Sequence, residues 1–239
     1  MSSDLAVIRQ LLRGEPRYGE QKDRLERFYG PQAEAYDRFR ERLLWGRKEM
    51  IASLPIAPGA QVVELGGGTG RNLDFFGDKI FELSSLTIVD LCPSLLQRAR
   101  QRSQSKGWQH VRCIESDAIR FGPEKPVDVV YLSYALTMIP DWFAAIDNAL
   151  AMLKPGGIIG VVDFYVSRKH PLHGHCRHSL FDRTFWPLWF GHDGVFPHPD
   201  HVPYLFARTQ MIEFIESRSR VPYLPGLRCP YYRYIGRKL

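Results

Sequence analysis

An apolar strand that runs straight into glycines is suited first to holding a small molecule against bare backbone. Residues 62–72 read Val-Val-Glu-Leu-Gly-Gly-Gly-Thr-Gly-Arg-Asn, a β-branched run followed by residues that turn sharply, bring N–H groups close to a ligand and open a helix. The spacing is Gly66-x-Gly68-x-Gly70, with Glu64 two residues ahead. It is not Gly-x-Gly-x-x-Gly, and an acid at the strand end repels a pyrophosphate while suiting a cationic amino-acid moiety. Asp90 follows Gly70 by 20 residues, the separation at which a carboxylate closing the next strand reaches a ribose diol. Asp117-Ala118 comes directly after a third strand-like run, where an acid beside a small residue can accept from an exocyclic amine such as adenine's. Ser133-Tyr134 closes a fourth apolar run and marks the edge of the same pocket.

Bringing those residues together takes a wound parallel sheet. From Pro58 onward the chain alternates strand and helix, which predicts right-handed crossovers. Strands are expected near 60–65, 86–89, 110–114, 127–132 and 158–164, with a final antiparallel pair near 211–215 and 231–236. A helix is expected after Thr69, another from Pro93 to about Lys106, and another over 141–153 burying Trp142, Phe143, Ile146 and Leu150. Lys154-Pro155-Gly156-Gly157 reads as a stop and turn before the fifth strand. Residues 1–57 read as two or three amphipathic helices, with Leu5, Ile8, Leu11, Leu12, Phe28, Tyr36, Phe39, Leu43 and Leu44 at helical intervals. These form an N-terminal lid or substrate region, and 58–239 form the core with an aromatic, histidine-rich insertion over 165–210.

A chain of 239 residues buries an adequate core as one domain without staples. Its four cysteines include no C-x-x-C pair, which fits a reducing compartment. No basic-then-apolar leader and no run of about 18 apolar residues occurs, so a cytoplasmic protein is expected. The net charge of +6 is uneven: residues 160–239 hold eleven Lys and Arg against six Asp and Glu. A basic, aromatic-rich C-terminal third suggests an anionic partner surface, nucleic acid or lipid.

Together the Glu-x-Gly-x-Gly-x-Gly loop, Asp90, Asp117-Ala118 and the Lys-Pro-Gly-Gly turn resemble class I S-adenosylmethionine-dependent methyltransferases over about residues 58–165. The resemblance implies a Rossmann-like α/β fold, with a seven-stranded, mostly parallel sheet covered by helices on both faces. It also implies a cofactor site of Glu64, Gly66, Gly67, Gly68, Gly70, Asn72, Asp90, Leu91, Asp117, Ala118 and Ser133. In that site the loop backbone takes the methionine part, Asp90 the ribose hydroxyls and Asp117 the adenine amine. Leu91 flanks the ring and Ser133 meets the methionyl amine; S-adenosylhomocysteine is the product.

Longer stretches narrow the likeness. DLCPSLLQRAR at 90–100, LTMIPDWFAAIDNALAMLKPGG at 136–157, VVDFYVSRKHP at 161–171, RTFWPLWFGHDGV at 183–195 and VPYLPGLRCPYYRYIGRK at 221–238 resemble the methyltransferases of betaine-lipid synthesis. Such enzymes trimethylate diacylglyceryl-homoserine, and the similarity runs from about Tyr29 onward. Gly67 stands where many relatives carry cysteine, a small-for-small exchange. No domain able to make the homoserine lipid is present, so a separate transferase would supply it.

Methyl transfer from a sulfonium to an amine is an in-line displacement that moves a positive charge without creating one. Alignment and aromatic faces therefore matter more than an oxyanion hole. Tyr29, Tyr36, Tyr134, Tyr165, Trp186 and Tyr232 are the candidates for that enclosure. Arg168, favoured over Arg47 and Lys169, is the candidate for the substrate α-carboxylate. The amine must be neutral when it attacks, and water, Asp163 or His170 could take its proton.

Seven of the eight histidines lie between His170 and His201. They lack regular ligand spacing, so the reading is a polar lid and no metal. Phe181, Phe185, Trp186, Trp189, Phe190, Phe196, Tyr204 and Phe206 lie in the same insertion, and those of them left exposed and ringed by Arg177, Arg183 and Arg208 suit peripheral contact with an anionic membrane at its inner face. Two rivals stand: methylation of another amine or ring carbon, such as an ethanolamine headgroup or a quinone precursor, and a non-catalytic RNA-binding module. The second lacks an arginine-rich run or repeated stacking motif. Oligomeric state is not legible.

Overall fold

Val62, Val63 and Leu65 flank a buried Glu64 in β1 (Gln61–Leu65), a strand covered on both faces. A strand of this kind needs parallel neighbours on each side and helices above and below. The computed structural model describes residues 20–29, 41–222 and 224–239, with the backbone alone at Phe28 and Tyr29. Around β1 lie β2 (Ser85–Asp90), β3 (Val111–Glu115), β4 (Val127–Ser133), β5 (Leu153–Phe164), β6 (Thr209–Arg220) and β7 (Arg228–Lys238). The sheet order is β3-β2-β1-β4-β5-β7-β6. The first five strands are parallel, and β7 runs antiparallel to both β5 and β6.

Six α-helices cover it among the described residues: α1 (Gln21–Tyr29), α2 (Arg47–Ser53), α3 (Pro93–Ser105), α4 (Trp142–Met152), α5 (Leu180–Gly191) and α6 (His201–Arg208). Met50 and Ile51 of α2, Leu96 and Ala99 of α3, and Trp186 and Phe190 of α5 bury themselves in one core layer. Ala145, Ile146 and Ala149 of α4, with Val202 and Leu205 of α6, fill the layer on the other face. The stretch expected as an insertion is thus the β5-to-β6 crossover, supplying one helix to each face.

Three expectations are corrected. After Thr69 the chain forms 3-10 turns over Arg71–Glu82 rather than an α-helix, broken at Gly77 where φ is 55° and ψ −137°. Lys154-Pro155-Gly156-Gly157 lies inside β5, as an irregular entry where pairing shifts register between Val127 and Val129. Gly156 takes φ 73° there, so the turn chemistry is spent on a bulge within the strand. The last two strands run to Arg220 and begin at Arg228, longer than their apolar centres suggest, because backbone pairing continues under polar side chains. Leu5, Ile8, Leu11, Leu12, Tyr36 and Phe39 lie outside the described residues.

Candidate active site

β1 ends where the backbone must reverse beneath β2. Gly66 (φ 71°), Gly68 (φ 55°) and Gly70 (φ 66°) all occupy the left-handed region, which a side chain rarely adopts. Gly66 N and Gly67 N both donate to Val89 O, at 2.8 and 3.2 Å, so the loop is stitched to the carboxyl end of β2. Asp90 completes the stitch: its Oδ2 accepts from Gly68 N at 2.8 Å and its Oδ1 from Cys92 N at 2.9 Å.

Above this loop opens a cleft lined by the ends of several strands. It lies outside the carboxyl ends of β1, β2 and β4, where open parallel sheets bind ligands. Gly66, Gly68, Asp90, Leu91, Asp117 and Ala118 line it, and Tyr134 joins them from the end of β4. Asp117 Oδ1 accepts from Ile119 N at 3.0 Å, which fixes the carboxylate at the mouth. Four motifs separated by up to about seventy residues thus meet in one cavity.

Other expected cofactor residues lie beneath the cleft instead of on its wall. A Cβ on Gly67 would fall 2.7 Å from Ile88 Cγ2 and 2.9 Å from Glu64 Cδ, and one on Gly70 3.1 Å from Ala99 Cβ. Both glycines are there to let the loop and α3 approach the sheet. Asn72 is a support: its Nδ2 donates to Glu64 Oε1 at 2.6 Å while its Oδ1 accepts from Arg47 Nη1 at 3.3 Å. Glu64 is fully buried, and burial, opposed by Asn72 and the Tyr131 hydroxyl, pushes its carboxyl up to about 7. The Tyr131 hydroxyl, across from it on β4, also supports that carboxylate, and the buried Ser133 Oγ has no hydrogen-bond partner among the described residues. Leu65 pairs with Leu132, so Glu64 and Ser133 sit near the ends of neighbouring strands. A buried carboxyl and an unmatched hydroxyl at that place fit a cationic amine.

The expected aromatic enclosure is only partly assembled. Tyr134 is held at φ 54°, a strained value for a side-chain-bearing residue that persists where the surroundings enforce it. Its N donates to Val162 O and its hydroxyl to Trp45 O, each at 2.7 Å. Burial raises its phenol well above the ordinary value, so it remains neutral. Phe164 meets its ring edge-on at 4.6 Å, and Phe190 stacks on Phe164 at 4.8 Å.

Tyr165 points to the opposite face of the sheet, its hydroxyl bonded to Glu216 and its ring against Tyr232. Trp186 is in the core and Tyr232 is fully buried. For Tyr29 the backbone alone is described, at the end of α1, and Tyr36 lies outside the described residues. Arg168 pairs with Asp200 at 2.5 Å and is not among the residues that line the cleft.

The proton-acceptor candidates also find other work. Asp163 is fully buried, accepts from Thr137 Oγ1 at 2.7 Å and Phe164 N at 2.8 Å, and burial pushes it up to about 7. It anchors the turn at Leu136–Met138 rather than facing the cleft. His170 is exposed. Among the described residues no group of three or more His, Cys, Asp and Glu side chains could hold a metal ion. His178 Nδ1 instead accepts from Ser167 N at 2.9 Å, and His201 is buried beside Trp142.

The sequence led to helices in this N-terminal region but did not single out the residues of α1 that reach the cleft. Gln21 and Leu25, one turn apart on α1, line the cleft. Gln21 Nε2 donates to Met138 O at 3.2 Å, Lys22 pairs with Glu115 at the end of β3, and Glu26 Oε2 accepts from Cys92 Sγ at 2.9 Å and Ser94 N at 3.3 Å. Burial and Glu26 push the Cys92 thiol up to about 12, which keeps its proton in that bond. No local signal marks Gln21, but Met138 and Ile139, also missed, follow the β4 end closely enough to be found by walking from Tyr134.

Comparison with known proteins agrees with this geometry. A family model described as a methyltransferase domain matches residues 63–159. The ubiquinone/menaquinone biosynthesis C-methyltransferase UbiE of Shewanella piezotolerans is 30% identical over 124 residues, 51% of this chain and 49% of that one. Trans-aconitate 2-methyltransferase of an Enterobacter species is 29% identical over 113 residues, 47% of this chain and 42% of that one. The chain spans about half the length of the curated relatives it matches. Among solved structures, the N-methyltransferase NodS of Bradyrhizobium japonicum with S-adenosyl-L-homocysteine superposes with a TM-score of 0.67 at 18% identity, covering 92% of this chain and 99% of that one. Phosphoethanolamine N-methyltransferase 2 of Haemonchus contortus with S-adenosyl-L-methionine gives 0.70 at 14% identity, covering 93% of this chain and 60% of that one.

Proposed function

We propose, from the match of residues 63–159 to a methyltransferase domain, that this chain uses S-adenosylmethionine to methylate the amine of diacylglyceryl-homoserine, yielding its N,N,N-trimethyl betaine lipid. The observation that carries the methyltransferase part is the single cleft in which Gly66, Gly68, Asp90, Asp117 and Tyr134 converge. The lipid part rests on the long stretches between Asp90 and Lys238 that resemble betaine-lipid methyltransferases. Two N-methyltransferase structures that share this fold over more than nine-tenths of the chain favour a nitrogen acceptor.

The bound cofactor would supply an electrophilic methyl group. The residues present suit it: Asp90 offers a carboxylate already aligned by Gly68 and Cys92, and Glu64 and Ser133 offer buried acceptors for an ammonium. Gln21 and Leu25 close the cleft from above. Tyr134 presents a neutral ring whose hydroxyl is already committed to Trp45 O, so it can face a cation before and after transfer without acting as a base. The proton of the substrate amine leaves to water, since Asp163 is spent on Thr137. A separate transferase would supply the homoserine lipid, and the lipid would place the protein at the cytoplasmic face of a membrane.

A second reading, methylation of a ring carbon, draws on the C-methyltransferase relative matched over 124 residues. Uptake of labelled methyl groups into vesicles carrying diacylglyceryl-homoserine, beside vesicles carrying a quinone precursor, separates the two. Label in the quinone alone would overturn the amine assignment.

A further inference from the structure

Helix α5 is amphipathic in an unusual sense, because its outward face is apolar too. Its inner face is fixed: Trp186 and Phe190 are buried, and Asp182 takes a bidentate pair from Arg218 on β6 at 3.1 and 2.6 Å. Ser179 and Asp182 close a capping box at its start. The outer half-turn positions are Leu180, Phe181, Thr184, Phe185, Leu188 and Trp189, five of the six apolar. Leu180, Phe181 and Leu188 are 69%, 51% and 78% exposed, and Trp189 is 39% exposed. Phe185 stacks between Phe181 at 4.8 Å and Trp189 at 5.7 Å, so the rings form one ridge.

Scattered exposed apolar residues need no explanation, but a contiguous ridge on a rigid helix does. Three observations bear on its occupant. Arg177 is exposed three residues before the helix and Arg183, half-buried, lies within its first turn, while the acid of the helix, Asp182, is turned inward onto Arg218. The face therefore joins apolar rings to positive charge, the combination that sits at headgroup depth on an anionic bilayer. The third observation is position: Phe190 on the inner side stacks on Phe164, which meets Tyr134 on the cleft wall. The ridge is the outside of the same helix whose inside backs the cleft.

We propose that the Leu180–Trp189 face of α5 is an interfacial docking surface for an anionic lipid bilayer, seating the cleft beside the headgroups. This deepens, and in its choice of partner rests on, the lipid-acceptor reading. Its test needs neither cofactor nor homoserine lipid: co-sedimentation with vesicles of phosphatidylcholine containing one quarter phosphatidylglycerol, beside pure phosphatidylcholine. The wild-type protein is expected to partition onto the anionic vesicles. Phe181→Ser with Leu188→Ser should lower that partition by about tenfold or more, while S-adenosylmethionine binding by calorimetry stays within about twofold. Leu188→Ser alone, at the most exposed position, gives a milder variant and should lower the partition by a smaller factor.

Undiminished vesicle binding in the double variant overturns the assignment, as does wild-type protein that stays in the supernatant with both vesicles. Self-association abolished by Leu188→Ser, without vesicle affinity, would overturn it in favour of a second copy of this chain. Because no acceptor lipid is present, these results stand apart from any outcome on the methylated headgroup.

Discussion

Asn72 Nδ2 donates to Glu64 Oε1 across 2.6 Å, and the Tyr131 hydroxyl on the neighbouring strand also supports the buried carboxylate. A carboxyl pushed by burial from 4.5 to about 7 is easier to protonate folded than unfolded. Its contribution to stability is therefore full below about pH 4.5 and is lost as pH rises through about 7. A cationic ligand beside it favours the ionised form, so cofactor binding should expel a proton and tighten as pH rises towards 7. Calorimetry near about pH 6, in two buffers of different ionisation enthalpy, should show that release. Glu64→Gln should abolish it and weaken binding by about tenfold or more. Equal proton release in the two proteins would remove Glu64 from the cofactor site.

Gly67 is not freely exchangeable. Its would-be Cβ lies 2.7 Å from Ile88 Cγ2 and 2.9 Å from Glu64 Cδ, and Glu64 is held by Asn72. Gly67→Ala, and equally Gly67→Cys, should cost about 1–3 kcal/mol as overpacking. At this chain length each kcal/mol lowers the melting temperature by about 2–4 °C. Gly122, with nothing within 4 Å of its would-be Cβ, is the control, and Gly122→Ala should change stability by no more than about 0.5 kcal/mol.

Arg168→Ala should matter little. The side chain is 53% exposed and its partner Asp200 39% exposed, and such pairs contribute about 0–1 kcal/mol. Methyl-transfer kinetics should show KM for the lipid unchanged within about twofold. A large rise in that KM alone would return Arg168 to the substrate carboxylate.

The Asp182–Arg218 pair should matter more, because Asp182 is buried on the inner face of α5. Burial alone would raise its carboxyl, but Arg218 and Ser179 hold it at about 2. A depressed carboxyl contributes stability that is present above its ordinary 3.8 and is lost as pH falls through about 2. That is about 2 kcal/mol at neutral pH. The urea-unfolding difference between wild type and Asp182→Asn should shrink across that window. A difference that stays constant with pH would mean that the ion pair is not its source.

Much of the cleft was legible because its chemistry constrains backbone as well as side chains. Left-handed turns after β1 call for Gly66 and Gly68, and Asp90 had to close the next strand at a fixed distance. Strand parity was also available and went unused. Phe164 and Tyr165 are neighbours on β5 and must face opposite sides, so Phe164 packing on Tyr134 excludes Tyr165 from that wall. What the sequence could not show are partners set by folding: Gln21 meets a carbonyl 117 residues away and Lys22 a carboxylate 93 residues away. Arg168 likewise finds Asp200 across the β5-to-β6 crossover. No local pattern encodes such pairs.

On the proposed reading, the amine of a homoserine lipid is methylated repeatedly. Purified protein incubated with S-adenosylmethionine and vesicles of diacylglyceryl-homoserine, beside vesicles of phosphatidylethanolamine, tests it by mass spectrometry of the extracted lipids. The prediction is successive gains of one, two and three methyl groups on the homoserine lipid and none on the ethanolamine lipid. Gains on ethanolamine alone, or no gain on either lipid by protein that binds the cofactor, would contradict it.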